Sequence, residues 1–217
     1  MGLKKITVDV ITELNNRMGP NSSVLDVGCG DRIYEQFITC KKYIGIDIEQ
    51  SGRSSDKKLP DMYFDGLDIP FNNNSFDLII CTEVLEHAID PEYLCAEMRR
   101  VLKPNGLLLV TVPSMWGEHE VPFDFRRYTS FGIELLAKNS SLEIVKYQKE
   151  KPGIDAYIQL GCSEINASSA GNLYKKTAKL WLRITAIFLK FIKINMPRIY
   201  LTNVVILKKN NKQQSVN

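Results

Sequence analysis

The chain has 217 residues, 44% of them hydrophobic and 24% charged, with a formal net charge of +3. That balance supplies one α/β core with room for an appendage and excludes a disordered or low-complexity chain. The opening Met1-Gly2-Leu3-Lys4-Lys5 lacks a secretory leader's apolar run, and five scattered cysteines form no CxxC pair, so reduced thiols and a cytoplasmic location are expected.

Leu3, Ile6, Val10, Leu14 and Met18 share one helical face, and Gly19-Pro20-Asn21 closes that helix. Val24-Leu25-Asp26-Val27 then reads as a strand buried on both faces of a parallel sheet, running into the turn Gly28-Cys29-Gly30. Ile33, Tyr34, Phe37 and Ile38 follow at helical spacing, so the turn is expected to open a helix, as in nucleotide-binding βα units. Tyr43-Ile44-Gly45-Ile46-Asp47 is a second short strand, and Asp47 falls nineteen residues after Gly28, near the spacing of about 20 at which an acid reaches a ribose hydroxyl.

A dinucleotide fingerprint would place its third glycine at position 33, which is Ile33. Asp26, two residues before the first glycine, repels a pyrophosphate and attracts a ligand carrying a sulfonium and an ammonium. This Asp-x-Gly-x-Gly pattern with its strand-end acid resembles the class I S-adenosylmethionine-dependent methyltransferases. The resemblance implies S-adenosylmethionine as cofactor, Asp26, Gly28 and Gly30 at its methionine end, and Asp47 on its ribose.

The polar stretch from Glu49 to Asp61 reads as a loop, followed by Asp65-Gly66-Leu67-Asp68-Ile69-Pro70-Phe71 and an Asn72-Asn73-Asn74 turn. In the family an acid at the Asp68 position lies beside the adenine amino group. Phe76-Asp77-Leu78-Ile79-Ile80-Cys81 is a third buried strand, and Thr82-Glu83-Val84-Leu85-Glu86-His87 leaves its C-terminal end, where ligands of open α/β sheets gather. Asp90-Pro91 starts a helix with Leu94, Met98, Val101 and Leu102 inward; Lys103-Pro104-Asn105-Gly106 stops it, and Leu107 to Pro113 is a further apolar strand. The succession over residues 24–113 resembles the small-molecule branch of the family. The cofactor-binding set it implies is Asp26, Gly28, Cys29, Gly30, Asp47, Ile48, Asp68, Ile69, Thr82 and Glu83.

Trp116 to Thr129 is too polar and aromatic for a plain connection, and loops on a rigid scaffold carry specificity, so the acceptor pocket is placed there. Its Asp-Phe-Arg-Arg-Tyr-Thr run resembles methyltransferases of surface polysaccharide and glycan synthesis. His119 is the favoured base for an acceptor hydroxyl, with Asp124 and Tyr128 beside it as the remaining catalytic candidates. Glu83-x-x-Glu86-His87 resembles the metal-binding segment of quinone-biosynthesis O-methyltransferases, its spacing placing all three on one helical face; Glu86-His87 also occurs in relatives without metal, so no metal is assigned.

Ser130 is expected to cap a helix with Ile133, Leu136 and Ala137 inward, Leu142 to Tyr147 alternates as a strand, and Leu201 to Lys208 is the last strand, antiparallel. Between those strands lies an insertion at about 152–198, where Leu173, Leu180, Trp181, Ile184, Phe188 and Phe191 recur at helical spacing among lysines and arginines. From Ile165 to Asn217 there are ten basic residues and no Asp or Glu; subtracting these ten from the net +3 leaves −7 for residues 1–164. Such asymmetry points to an anionic partner, and a cationic helix with a Trp/Phe/Leu face suits an anionic membrane surface, or a cover for the sheet edge or a dimer contact. Its charged face has no interleaved aromatics to stack bases, so no nucleic acid is expected.

The fold expected is a Rossmann-like, doubly wound, seven-stranded and mainly parallel sheet, one domain over residues 1–209 with a disordered tail at 210–217. The function expected is O-methylation of a sugar or glycan intermediate, a lipid-linked one met at the inner membrane surface being the narrower form of that expectation. The alternatives are methylation of a quinone-like lipophilic molecule, or a methyltransferase-fold binding protein without activity. The oligomeric state stays open.

Overall fold

The computed structural model of the chain describes residues 5–49, 59–193, 196 and 198–210. Seven strands form one sheet in the order β3-β2-β1-β4-β5-β7-β6. Strands β1 (Ser23–Val27), β2 (Lys42–Asp47), β3 (Met62–Tyr63), β4 (Phe76–Thr82) and β5 (Leu102–Pro113) pair in parallel, and β7 (Thr202–Lys209) runs antiparallel between β5 and β6 (Leu142–Glu150). The near-continuous apolar runs of β1, β4 and β5 follow from this placement, because both sheet faces are covered. On one face Leu25, Val27, Ile79, Cys81, Leu108 and Val110 pack against helices α2 (Pro91–Val101) and α3 (Ser130–Asn139). On the other, Val24, Leu78, Ile80, Leu107 and Leu109 meet Val10, Ile11 and Leu14 of α1 (Lys5–Met18).

Helix α2 starts as the sequence dictates: Asp90 accepts the Tyr93 N–H at 2.9 Å and Pro91 holds the first turn. Helix α3 starts one residue away from expectation. Thr129, not Ser130, is the cap, its hydroxyl accepting the Gly132 N–H at 3.0 Å. No α-helix follows the Gly28–Gly30 turn; Ile33, Tyr34, Phe37 and Ile38 occupy a turn and a short 3-10 segment at Glu35–Phe37, packed against the α1 side of the core. Arg32 adopts φ 55°, a left-handed conformation that a right-handed helix cannot include. Most of the loop expected from Glu49 to Asp61 and of the expected tail lies outside the described residues.

The insertion between β6 and β7 is two helices, α4 (Ile154–Ala167) and α5 (Asn172–Phe191), packed on each other. A Cβ on Gly161 of α4 would lie 2.8 Å from Leu182 Cδ2 of α5, so glycine sets the approach of the pair. Ala186 is the one buried residue of α5. No described helix is long and apolar enough to cross a membrane.

Asn203 ties β7 to the segment beyond β5. Fully buried, it donates to the Tyr128 carbonyl at 2.8 Å and accepts the Tyr147 O–H at 2.7 Å. Asn203→Ala takes from the Tyr128 carbonyl its amide donor and from the half-buried Tyr147 hydroxyl one of its partners, and is expected to cost about 1–3 kcal/mol in urea unfolding; a loss below about 0.5 kcal/mol would show that these bonds do not hold the segment.

Candidate functional site

A cavity opens at the C-terminal ends of β1, β2 and β4. In open α/β sheets ligands bind at this end. Gly28 follows β1, Asp47 and Ile48 close β2, Phe64 to Leu67 follow β3, Glu83 and Val84 follow β4, and Glu120 and Phe123 come from the loop beyond β5.

The glycine turn is built by three backbone contacts. The Gly28 and Cys29 N–H groups donate to the Ile46 carbonyl at 2.8 and 3.1 Å, and the Gly30 N–H donates to Asp47 Oδ2 at 2.8 Å. Gly28 and Gly30 have φ 68° and 49°. A Cβ on Gly28 would lie 2.3 Å from Val84 Cγ2, so this residue must be glycine both for its backbone and for the packing of the β4 loop. Asp47 Oδ1 takes the Ile48 N–H at 2.8 Å, which fixes the carboxylate at the end of β2 on the cavity wall.

Asp26 departs from the expectation that it borders the ligand as a free carboxylate. Only 1% exposed and absent from the cavity wall, it accepts the Tyr43 O–H on Oδ2 at 2.5 Å. Burial pushes its pKa up to about 7 against the Tyr43 bond, so near neutrality it is not the full charge that was to exclude a pyrophosphate. Its Oδ1 is buried with no partner among the described residues, an acceptor that a cationic group at the turn would satisfy. Asp68 and Ile69 do not line the cavity either. Asp68 accepts the Tyr93 O–H at 2.6 Å, and Ile69 is core, its N–H donating to Glu97. Asp65, Gly66 and Leu67 take their place, with Asp65 accepting the N–H groups of Leu67 and Asp68 at 2.8 Å. Thr82 and Cys29 lie outside the wall as well, and Glu83 stays on it, accepting the Thr111 hydroxyl at 2.9 Å.

Residues 83–87 are a turn, not the helix that would align Glu83, Glu86 and His87. Glu83 has φ 55° and its N–H donates to the Thr111 carbonyl. The segment after β5 clamps this turn: the Phe125 N–H donates to the Glu86 carbonyl, and the Arg126 guanidinium donates to the Ala88 and Ile89 carbonyls. Tyr128, expected to be catalytic, is core; its O–H donates to the Leu85 carbonyl at 3.1 Å, and burial raises its pKa, so it is a structural residue. Asp124 forms two 2.6 Å bonds to the Arg127 guanidinium, which holds its carboxyl well below the usual range, and its Oδ2 lies 3.1 Å from His119 Nδ1. It positions His119 and does not itself face the cavity.

His119 and His87 meet edge to face, ring centroids 4.9 Å apart. The neighbours of His119 Nδ1 are Asp124 and the Gly117 carbonyl, and that of His87 Nδ1 is the Phe123 carbonyl at 2.8 Å. All are acceptors, so the proton of each neutral ring is assigned to Nδ1 and the lone pair to Nε2.

Residues 25–110 match the family model described as a methyltransferase domain. The chain is 33% identical over 135 residues to the sterol 24-C-methyltransferase of Schizosaccharomyces pombe, covering 55% of this chain and 35% of that one. It is 31% identical over 117 residues to the 2-methyl-6-phytyl-1,4-hydroquinone methyltransferase of Synechocystis, covering 49% and 36%. The chain thus spans about a third of the length of these relatives. In fold it is similar to the geranyl diphosphate C-methyltransferase of Streptomyces coelicolor, solved with Mg2+, geranyl diphosphate and S-adenosyl-L-homocysteine, at TM-score 0.59 and 14% identity over 94% of this chain and 78% of that one.

Asp26 holds its proton more tightly folded, about 7, than unfolded, 3.8. Its contribution to stability is therefore full below pH 3.8 and lost as pH rises through about 7. Asp26→Asn removes that loss, so between pH 5 and pH 8 the variant is expected to gain about 2–3 kcal/mol on the wild type in urea unfolding. A stability difference that does not change with pH would refute the raised pKa.

Proposed function

We propose that residues 25–110, which match a methyltransferase domain, act as a class I S-adenosylmethionine-dependent methyltransferase, and that the protein transfers a methyl group to a hydroxyl of a lipophilic, quinol-like acceptor met at an anionic membrane surface. One observation carries the reading: a cavity walled by Phe64, Leu67, Val84, Ile89, Leu94 and Phe123 is continuous from the glycine turn to His87 and Glu120. The names of the sterol and hydroquinone relatives agree with an apolar acceptor. A glycan acceptor is less favoured, because Asp124, Arg126, Arg127 and Tyr128, the polar residues that suggested it, are spent on internal bonds.

The donor fits the residues present. Its methionine ammonium would answer the unpartnered Oδ1 of Asp26, its ribose the Asp47 carboxylate on the cavity wall, and its adenine the Asp65–Leu67 stretch that replaces the expected Asp68 and Ile69. Bound there, S-adenosylmethionine supplies an electrophilic methyl on a sulfonium, whose bonding pair stays with sulfur when the methyl leaves. The apolar wall excludes water and aligns the acceptor in line with that bond, the main source of rate in such a displacement. Asp124 holds His119 by Nδ1, and its Nε2 is buried behind the cavity wall, so taking the hydroxyl proton as the methyl arrives requires the His119 ring to turn toward the acceptor. His119→Ala is expected to lower turnover by about 10²–10⁴-fold with donor affinity unchanged; turnover within twofold of wild type would remove His119 from the mechanism.

Helix α5 supports the membrane surface. Leu173, Ile187 and Phe191, on the stripe turned away from α4, are 73%, 69% and 82% exposed, and Trp181 flanks them. Lys176 and Arg183 border the stripe, while Lys175 and Lys190 turn to α4, donating to the Asn166 carbonyl and to Asp155. A helix of this kind lies in an anionic headgroup layer. The helical pair also adjoins the acceptor loop, since a Cβ on Gly117 would lie 2.7 Å from Glu164 Oε1 of α4. In flotation the protein is expected to rise with phosphatidylglycerol vesicles, less so with added salt, and Lys175/Lys176/Lys179→Glu to stay in the lower fraction. Equal behaviour of the two on anionic and zwitterionic vesicles would refute the surface.

A further inference from the structure

We infer that Glu86, His87 and His119 form a binding site for one divalent first-row transition ion, of the zinc or cobalt type, at the acceptor end of the cavity. The three residues come from two separated segments, and one ligand atom from each lies within 4.8 Å of the other two. Both histidines are arranged as metal-ligating histidines are: Nδ1 is fixed by an acceptor outside the site, and Nε2 is left over. The Nε2 atoms of His87 and His119 are buried with no hydrogen-bond partner among the described residues, which is costly unless something fills the space between them.

The carboxylate supplies the charge. Glu86 is fully buried, its Oε1 is 3.9 Å from His87 Nε2, and Glu120 Oε2 approaches the same nitrogen at 3.9 Å from the cavity side. Metal bonds of about 2.0–2.1 Å place neighbouring ligand atoms about 3.3 Å apart, so side-chain shifts of about 1 Å complete the site. Two imidazoles and a carboxylate favour zinc, cobalt or iron(II) over magnesium or calcium, and leave positions open for a substrate oxygen. Glu83 is not part of the set: it is bonded to Thr111 in a left-handed turn.

The consequence for turnover rests on the proposed methyl transfer, because an ion and a proton compete for one lone pair on His119. Were the ion bound, Glu86, His87 and His119 would hold it, and it would supply Lewis-acid polarisation of an acceptor hydroxyl in place of proton uptake by His119. Metal binding itself does not rest on that reading and is measured without acceptor.

Full-length protein stripped with a chelator is titrated with Co2+ and followed by visible absorption and by thermal unfolding, with S-adenosylmethionine affinity measured on the same samples. One equivalent of Co2+ is expected, with d–d bands of a nitrogen and oxygen ligand field and a raised Tm. His87→Ala and His119→Ala are each expected to weaken binding at least ~10-fold, and Glu83→Gln to leave it unchanged. No saturable Co2+ binding below about 100 μM, or binding unaltered by His119→Ala, would overturn the site, whatever the donor affinity; loss of donor binding alone would count against the proposed function and leave the site standing. Because a histidine variant can unfold, Glu86→Gln serves as the second probe, and its Tm without metal shows whether the fold is intact.

Discussion

The structure turns on one short contact, the Gly30 N–H donated to the Asp47 carboxylate. It ties the loop leaving β1 to the end of β2, and the Gly28 and Cys29 N–H groups complete the tie on the Ile46 carbonyl. Gly28 and Gly30 are left-handed, a conformation glycine adopts without penalty, and at Gly28 Val84 packs into the space a side chain would fill. The cavity exists because three parallel strands end together and their loops are held apart at this point.

A second constraint is the clamp between the segment beyond β5 and the turn beyond β4. Arg126, Phe125 and Tyr128 bind backbone groups from Leu85 to Ile89, while Arg127 and Asp124 neutralise each other and fix His119. The polar composition of this loop therefore serves mostly to rigidify it. Only Glu120 and Phe123 are left to line the cavity, with His119 behind them against the His87 ring, so a polar sequence builds an apolar-walled pocket with few chemical groups.

Much of this was legible in the sequence, for a physical reason. Strands buried on both faces must be apolar throughout, which marks β1, β4 and β5, and an Asp-Pro pair before an amphipathic run marks the start of α2. What was not legible depends on contacts between distant residues. Asp26 is taken up by Tyr43, seventeen positions away, so its charge could not be judged from the turn alone. Asp65 rather than Asp68 faces the cavity because Tyr93 of α2 draws Asp68 outward. The helix expected after the glycine turn is stopped by the left-handed Arg32, and that expected at Glu83–His87 by the left-handed Glu83. Neither residue is a type that announces such a conformation. Helix α4 escaped notice because Ile154–Ala167 has only Ile154 and Ala156 buried and so shows no strong apolar period.

The account stands or falls on what the glycine turn and Asp47 hold. Calorimetric titration of the full chain with S-adenosylmethionine, with NAD as the competing phosphorylated ligand, and of Asp47→Ala with S-adenosylmethionine, reads this directly. S-adenosylmethionine is predicted to bind and NAD not to, with Asp47→Ala weakening the complex by about 1.5–3 kcal/mol through the lost charged hydrogen bond. NAD bound more tightly than S-adenosylmethionine, or an Asp47→Ala chain with wild-type affinity, would contradict it.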